Sequence, residues 1–265
     1  MDFHDLRFGL TRLTTSFCDD GLSRSVVLSD IDGHVKVSYN PDHAYPPASL
    51  IKVLIAETVV LSGMDLASPV AVSDLHDTMY PTILNTLDDD RQVSIGELLS
   101  FSLVTSDNAS ADYLLDCVGL DEVNKRAKDL GLCHTHIATG FKDSEFCRGQ
   151  ESSTSASDMS QLLMHIFKQR QRSGYSRIWK SLINNLRNTR IPGLLPDELA
   201  VAHKTGSLDG VAHDAGILLI PDMPLVLVIL TKQEPSTLRT SLEMASFARS
   251  VYDFVTGSLT SLGSD

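Results

Sequence analysis

Apolar positions recur at helical spacing in "LRFGLTRLTTSF", residues 6–17, and predict a first helix. "SRSVVLSD" and "HVKVSYN" follow as two β-rich runs, with Asp32-Gly33 between them suited to a hairpin turn. From 49 to about 190 the period is helical, punctuated by capping signals. Ser94-x-x-Glu97 reads as a capping box opening "SIGELLSFSL". Asp121 is expected to cap "DEVNKRAKDL", with Gly131 closing that helix. "SASDMSQLLMHIFKQR" is a further amphipathic stretch. After Pro196 the period shortens. "LAVAHKTGS", "HDAGILLIP" and "PLVLVILTK" read as three strands, the last two joined at Pro221-Asp222-Met223-Pro224, before a closing helix in "PSTLRTSLEMASFARSVYDFV".

Strands at both ends of the chain and helices between them imply one mixed sheet built from distant segments. The alternating βαβ units of a doubly wound fold are absent, so the class is α+β, an α/β sandwich. We expect one catalytic domain over 1–265, with a sheet lobe from 1–48 and 197–265 and a helical lobe from 49–196. The seam between the lobes is where a site is expected.

Composition narrows the functional classes. The net charge of −12 disfavours a nucleic-acid surface, which needs clustered Lys and Arg. No apolar stretch is long enough to span a membrane. The opening residues have neither the basic nor the apolar part of a signal peptide. A complete chain is therefore expected in the cytoplasm, and one whose leader was removed in the periplasm or outside the cell. Cys18, Cys117, Cys133 and Cys147 form no CxxC pair and suit a reducing compartment. His134-x-His136 has no third ligand nearby, so no metal is expected, and no cofactor. The expected partner is a small molecule or short peptide, and the expected state a monomer.

Three short polar clusters carry the chemistry. "PPASLIKVLIAETVV" places Ser49 and Lys52 three apart on an otherwise apolar helix, just after two prolines that bar its continuation upstream. Ser49 then falls at a helix N-terminus, where unpaired N–H groups and the dipole favour developing negative charge. A serine hydroxyl is a weak nucleophile until a base takes its proton. A lysine whose pKa is depressed by burial or a neighbouring cation can be that base. Taken alone, the pair also fits an N-capping serine and a lysine that snorkels to water. The second cluster is Ser106-Asp107-Asn108 between two apolar helices, otherwise an ordinary cap. The third is Lys204-Thr205-Gly206 at the end of an apolar strand, otherwise a surface lysine and a glycine turn.

In order, S-x-x-K, S-D-N and K-T-G are the set of class A β-lactamases and penicillin-binding proteins. On these motifs and the segments around them the chain resembles class A β-lactamases over essentially its whole length. The resemblance implies a five-stranded antiparallel sheet flanked by helices, an all-helical lobe and an active site between them. It implies Ser49 as the acylated nucleophile, Lys52 as its base, and Ser106 as the proton relay to the leaving group, aided by Lys204. Asn108 would hold the substrate amide and orient Lys52, and Thr205 would grip a substrate carboxylate beside Lys204. Past Gly206, the backbone N–H of Ser207 would complete an oxyanion hole with that of Ser49. Lys204 is also expected to help keep Lys52 neutral.

Two departures stand out. Class A enzymes activate the deacylating water with a glutamate in an E-x-x-L-N loop, and that motif is missing from "HIATGFKDSEFCRGQESSTSASDM". Counting forward puts Phe141 at the glutamate position, with Asp143 and Glu145 as nearby carboxylates. The arginine that binds the substrate carboxylate in many class A enzymes also has no match, and His213 is the nearest candidate. The expected function is therefore a β-lactamase-like serine hydrolase of amide, ester or β-lactam substrates bearing a carboxylate. The alternatives are a D,D-peptidase or acyltransferase, or a slowly deacylating penicillin-binding sensor.

Overall fold

The computed structural model describes residues 3–19, 23–75, 81–141 and 152–257. Helix α1 (Phe3–Cys18) leads into strands β1 (Ser23–Asp30) and β2 (Val35–Tyr39). A 3₁₀ turn at Ala48–Ile51 runs into α2 (Lys52–Leu61). Two short strands, β3 (Pro69–Ala71) and β4 (Gln92–Ser94), pair with each other and were not foreseen from the sequence, being only three residues each. Helices α3 (Ile95–Val104), α4 (Asn108–Val118), α5 (Leu120–Asp129), α6 (Ala156–Gln169) and α7 (Tyr175–Ile183) follow. Strands β5 (Val201–Leu208), β6 (Val211–Leu218) and β7 (Leu225–Lys232) and helix α8 (Thr237–Val255) complete the chain.

The main sheet is antiparallel throughout, in the order β2-β1-β7-β6-β5. The central strand β7 reads as a near-continuous apolar run because both its faces are covered, and the period of two sorts the buried residues of the sheet. Val26, Leu28, Leu227 and Ile229 join α1 and α8 in one core. Val27, Val226, Val228 and Leu230 join α2, α3, α4, α6 and α7 in the other. Helix α6, taken from sequence as part of the helical lobe, lies against β1, β6 and β7 and so roofs the sheet as well.

The capping box at Ser94 forms as expected, its hydroxyl accepting from Glu97 N while the Glu97 carboxylate accepts from Ser94 N. Asp121 does not cap α5. The cap is two residues earlier, at Gly119, whose φ of +81° suits glycine, and Asp121 sits in the first turn. Strand β5 is a sheet edge, so its outer backbone groups face the helical lobe rather than another strand. That edge, the start of α2 and the α3–α4 junction meet at one cavity.

Candidate active site

Every residue of α2 from Lys52 to Val59 is buried, the lysine included, at 1% exposure. It does not snorkel. Its Nζ donates to Asn108 Oδ1 at 2.5 Å and to Ser106 O at 2.7 Å, with Ser106 Oγ and Asp107 O each at 3.4 Å. Ser49 lies in the 3₁₀ turn before α2, half-buried on the cavity wall. Ala48 before it holds φ at +48°, a left-handed conformation that non-glycine residues seldom adopt. Ser106 is also left-handed, at φ +63°, in the short link between α3 and α4. Asp107 fixes that link: Oδ1 accepts from Ser110 N at 2.8 Å to cap α4, and Oδ2 accepts from Ile83 N at 3.0 Å and from the Thr82 hydroxyl.

Strand β5 supplies the third wall. Lys204 is fully buried and donates from Nζ to Ser106 Oγ and to Thr205 O, both at 2.9 Å. Ser106 Oγ therefore accepts from Lys204, and its own proton is free for a third group. Gly206 passes close to the nucleophile turn; a Cβ there would stand 3.0 Å from Ala48 Cβ and 3.3 Å from Pro47 O. Ser49, Ser106, Asn108, Thr205 and Ser207 line one cavity of about 810 Å³, together with Thr82 and Ile83 on the opposite rim.

Burial is the first cause of the depressed basicity of Lys52, whose pKa falls from 10.5 to about 7. The Arg187 charge lowers it further, while Asp107 and Asp112 oppose the fall. Lys204 was expected to supply the repulsion. Among the causes at Lys52 that cation is Arg187, which lines the same cavity. Lys204 is itself pushed well below the ordinary lysine value, by burial first and then by the charge of Lys52.

The Beta-lactamase enzyme family matches residues 11–255. The chain belongs to that family. The extended-spectrum β-lactamase PER-1 of Pseudomonas aeruginosa is 26% identical over 246 residues, covering 84% of this chain and 79% of that protein. The D-alanyl-D-alanine carboxypeptidase DacB2 of Mycobacterium tuberculosis is 34% identical over a shorter stretch of 126 residues, 45% of this chain and 43% of that one. The crystal structure of a β-lactamase from Sphaerobacter thermophilus superposes with a TM-score of 0.84 at 20% identity, covering 98% of this chain and 100% of that one. Fold and family agree with the resemblance carried by the three motifs: this is a class A β-lactamase-like serine hydrolase.

Within that family the chain departs at two points. His213 does not face the cavity as a carboxylate binder. It is fully buried, accepts from Thr231 N at Nδ1 (3.1 Å) and donates from Nε2 to Pro46 O (2.8 Å), so both ring nitrogens are committed. Burial and the nearby Arg190 lower its pKa to about 4, which keeps it neutral. A neutral ring with no free nitrogen holds no carboxylate. Its neighbour in space carries a charge to Ser207 on the cavity wall. Arg190, overlooked in the sequence because it lies well upstream of the K-T-G strand, is buried beneath β5. Its Nη1 donates to Gly206 O at 2.7 Å and to His213 O at 2.5 Å, and its Nη2 to Ser207 Oγ at 2.6 Å. Only an arginine followed by Ile191-Pro192 in a loop hinted at it, and that is no signal by itself.

The second departure is at the expected glutamate. Phe141 is buried at 2% exposure, and Lys52 Nζ stands 4.5 Å from its ring centroid. The position beside the lysine is taken by an aromatic face. Asp143 and Glu145, the carboxylates nearby in sequence, lie outside the described residues.

Proposed function

We propose that the protein acylates Ser49 with carboxylate-bearing amide, ester or β-lactam substrates and releases the acyl group slowly. The observation that carries this reading is that buried Lys52 and Lys204 both reach Ser106, and Lys52 also Asn108, on the wall of the cavity that Ser49 lines, with the Phe141 ring where the resemblance implies a carboxylate. Neutral Lys52 takes the Ser49 proton as Oγ attacks the carbonyl carbon, and the new oxyanion points at the Ser49 and Ser207 N–H groups. The C–N or C–O bond then breaks, and the departing atom takes the proton of Ser106 Oγ–H. Lys204 and Lys52, which both contact Ser106 Oγ, make good that proton. The substrate carboxylate is held by Thr205 beside the charges of Lys204 and Arg190.

Intact-mass spectra after incubation with penicillins, p-nitrophenyl esters and D-amino-acid peptides test this reading. A single adduct, lost in Ser49→Ala, is expected. An adduct that persists in the alanine variant would remove Ser49 from the role.

A second reading, a D,D-peptidase or acyltransferase, draws on Phe141. An acyl group shielded from water is available to an amine acceptor that enters from the cavity. Transfer to added D-amino acids, measured against hydrolysis, separates the two.

A further inference from the structure

The family's motifs leave one buried carboxylate beside Lys52 unassigned. Asp112 lies on α4, one turn after Asn108, and is 3% exposed. Its Oδ1 accepts the backbone N–H of Phe141 at 2.6 Å. The approach is close: a Cβ on Gly140 would stand 2.9 Å from the same oxygen, so only glycine lets the chain pass at this distance. The ring of Phe141 in turn lies against Lys52 Nζ. A carboxylate on one helix thus fixes the backbone of a distant loop residue, and that residue covers the base. The charge of Asp112 also acts on Lys52, in the direction opposite to burial.

We propose that Asp112 is a positioning residue that sets how long an acyl group stays on Ser49, by clamping Phe141 so that a ring, not a water, occupies the space beside Lys52. This rests on the acyl-enzyme reading above. The physical reason is simple. Hydrolysis of an ester needs a water within hydrogen-bond reach of a base, and an anchored apolar ring denies it that place. An unanchored ring can turn aside. The backbone N–H is the only point at which a carboxylate can fix a phenylalanine by hydrogen bonding, because the side chain offers no polar atom.

Asp112→Ala removes the anchor, Phe141→Ala removes the ring, and the double variant removes both. The penicillin adduct on Ser49 is followed by time-resolved intact mass. Each single variant is expected to shorten its lifetime tenfold or more, and the double variant no further than Phe141→Ala alone. An unchanged lifetime in Asp112→Ala, or an equal further shortening in the Phe141→Ala background, would overturn the proposal. Should Asp112→Ala fail to fold, Asp112→Asn keeps an oxygen for the Phe141 N–H while losing the charge. Its lifetime is expected within about twofold of the native one, and a lifetime as short as that of Phe141→Ala overturns the anchor. The same variant separates anchor from charge in the pH profile of acylation. The groups around Lys52 are Asp107 and Asp112 on one side and Arg187 and Lys204 on the other. Losing one anion should move the acid limb to lower pH, which a purely structural Asp112 would not do.

One arm needs no adduct. In crystals of unliganded Asp112→Ala, or of Asp112→Gly should alanine not crystallise, the ring is expected to leave Lys52. A ring still at its native distance overturns the proposal even if no penicillin reacts. Absence of any adduct would instead count against the acyl-enzyme reading.

Discussion

Lys52→Met is the sharpest test of the site, because the structure assigns that lysine a large and pH-dependent stability effect. In the unfolded chain the ammonium loses its proton near 10.5, in the folded chain near 7. Between these values the unfolded state holds a proton that the folded state does not. Stability therefore rises with pH across that window, by up to about 1.36 kcal/mol per pH unit. Above 10.5 both states are neutral and the burial of the amine is free of this linkage. Below 7 both are protonated and the whole penalty is present, on the order of 5 kcal/mol from the gap between the two values. Methionine removes the linkage and keeps much of the volume. It also strips the donor from Asn108 Oδ1 and Ser106 O, two half-buried acceptors at the cavity wall, each costing up to roughly 1–3 kcal/mol when left unpaired. At pH 7 these effects oppose each other, so the net change is small and uninformative. The slope is informative. Over two pH units, 7.5 to 9.5, the native protein should gain up to about 2.7 kcal/mol relative to the variant. Lys204 adds its own slope to both proteins, and the comparison cancels most of it. Urea unfolding at fixed pH reads this directly. Acylation should fall about 10²- to 10⁴-fold in the variant. In the native protein it should climb about tenfold per pH unit below 7 and level off above. Parallel stability curves for the two proteins would mean that Lys52 stays protonated when buried, and the general-base role would go with them.

Three further expectations follow from the same geometry. Arg190→Lys keeps a charge but loses the fork that spans Gly206 O, His213 O and Ser207 Oγ. KM for a carboxylate-bearing substrate should rise about 10- to 100-fold, the worth of one charge-assisted hydrogen bond, and an equal rise for an uncharged ester would show general damage instead. Asp107→Ala removes the α4 cap and the tie to Thr82 and Ile83, and should lower stability by about 2–3 kcal/mol in urea unfolding; a loss under 0.5 kcal/mol would mean the carboxylate holds neither. Native penicillin turnover should stay below roughly 10 s⁻¹, an ordinary enzyme rate, in a steady-state chromogenic assay; a faster rate would point to a base not yet identified, with Glu145 and Asp143 the first to substitute.

The sequence by itself determined the long elements and the candidate groups of the three motifs, but not the short strands β3 and β4. Local patterns suffice for that. β7 is one apolar run whichever face each residue takes, Ser94 and Glu97 cap a helix within four residues of each other, and S-x-x-K sets two side chains three residues apart where a 3₁₀ turn runs into α2. It also located Phe141 by counting along the chain. Only the tertiary structure decided which cations and anions surround Lys52. The depression of the Lys52 pKa depends on burial and on charges from Asp107, Asp112 on α4 and the loop carrying Arg187, and none of these distances is encoded locally. His213 and Arg190 illustrate the same limit. On the strand pattern His213 was the plausible carboxylate ligand, but its ring spends both nitrogens joining β6 to Pro46 and β7. Arg190 reaches the same neighbourhood from well before the strand, because the chain folds back beneath the sheet edge. The clamp of Asp112 on Phe141 is likewise a contact between segments 29 residues apart. Spacing names the candidate groups; which of them are dry, paired or aimed at one another follows from how distant segments pack.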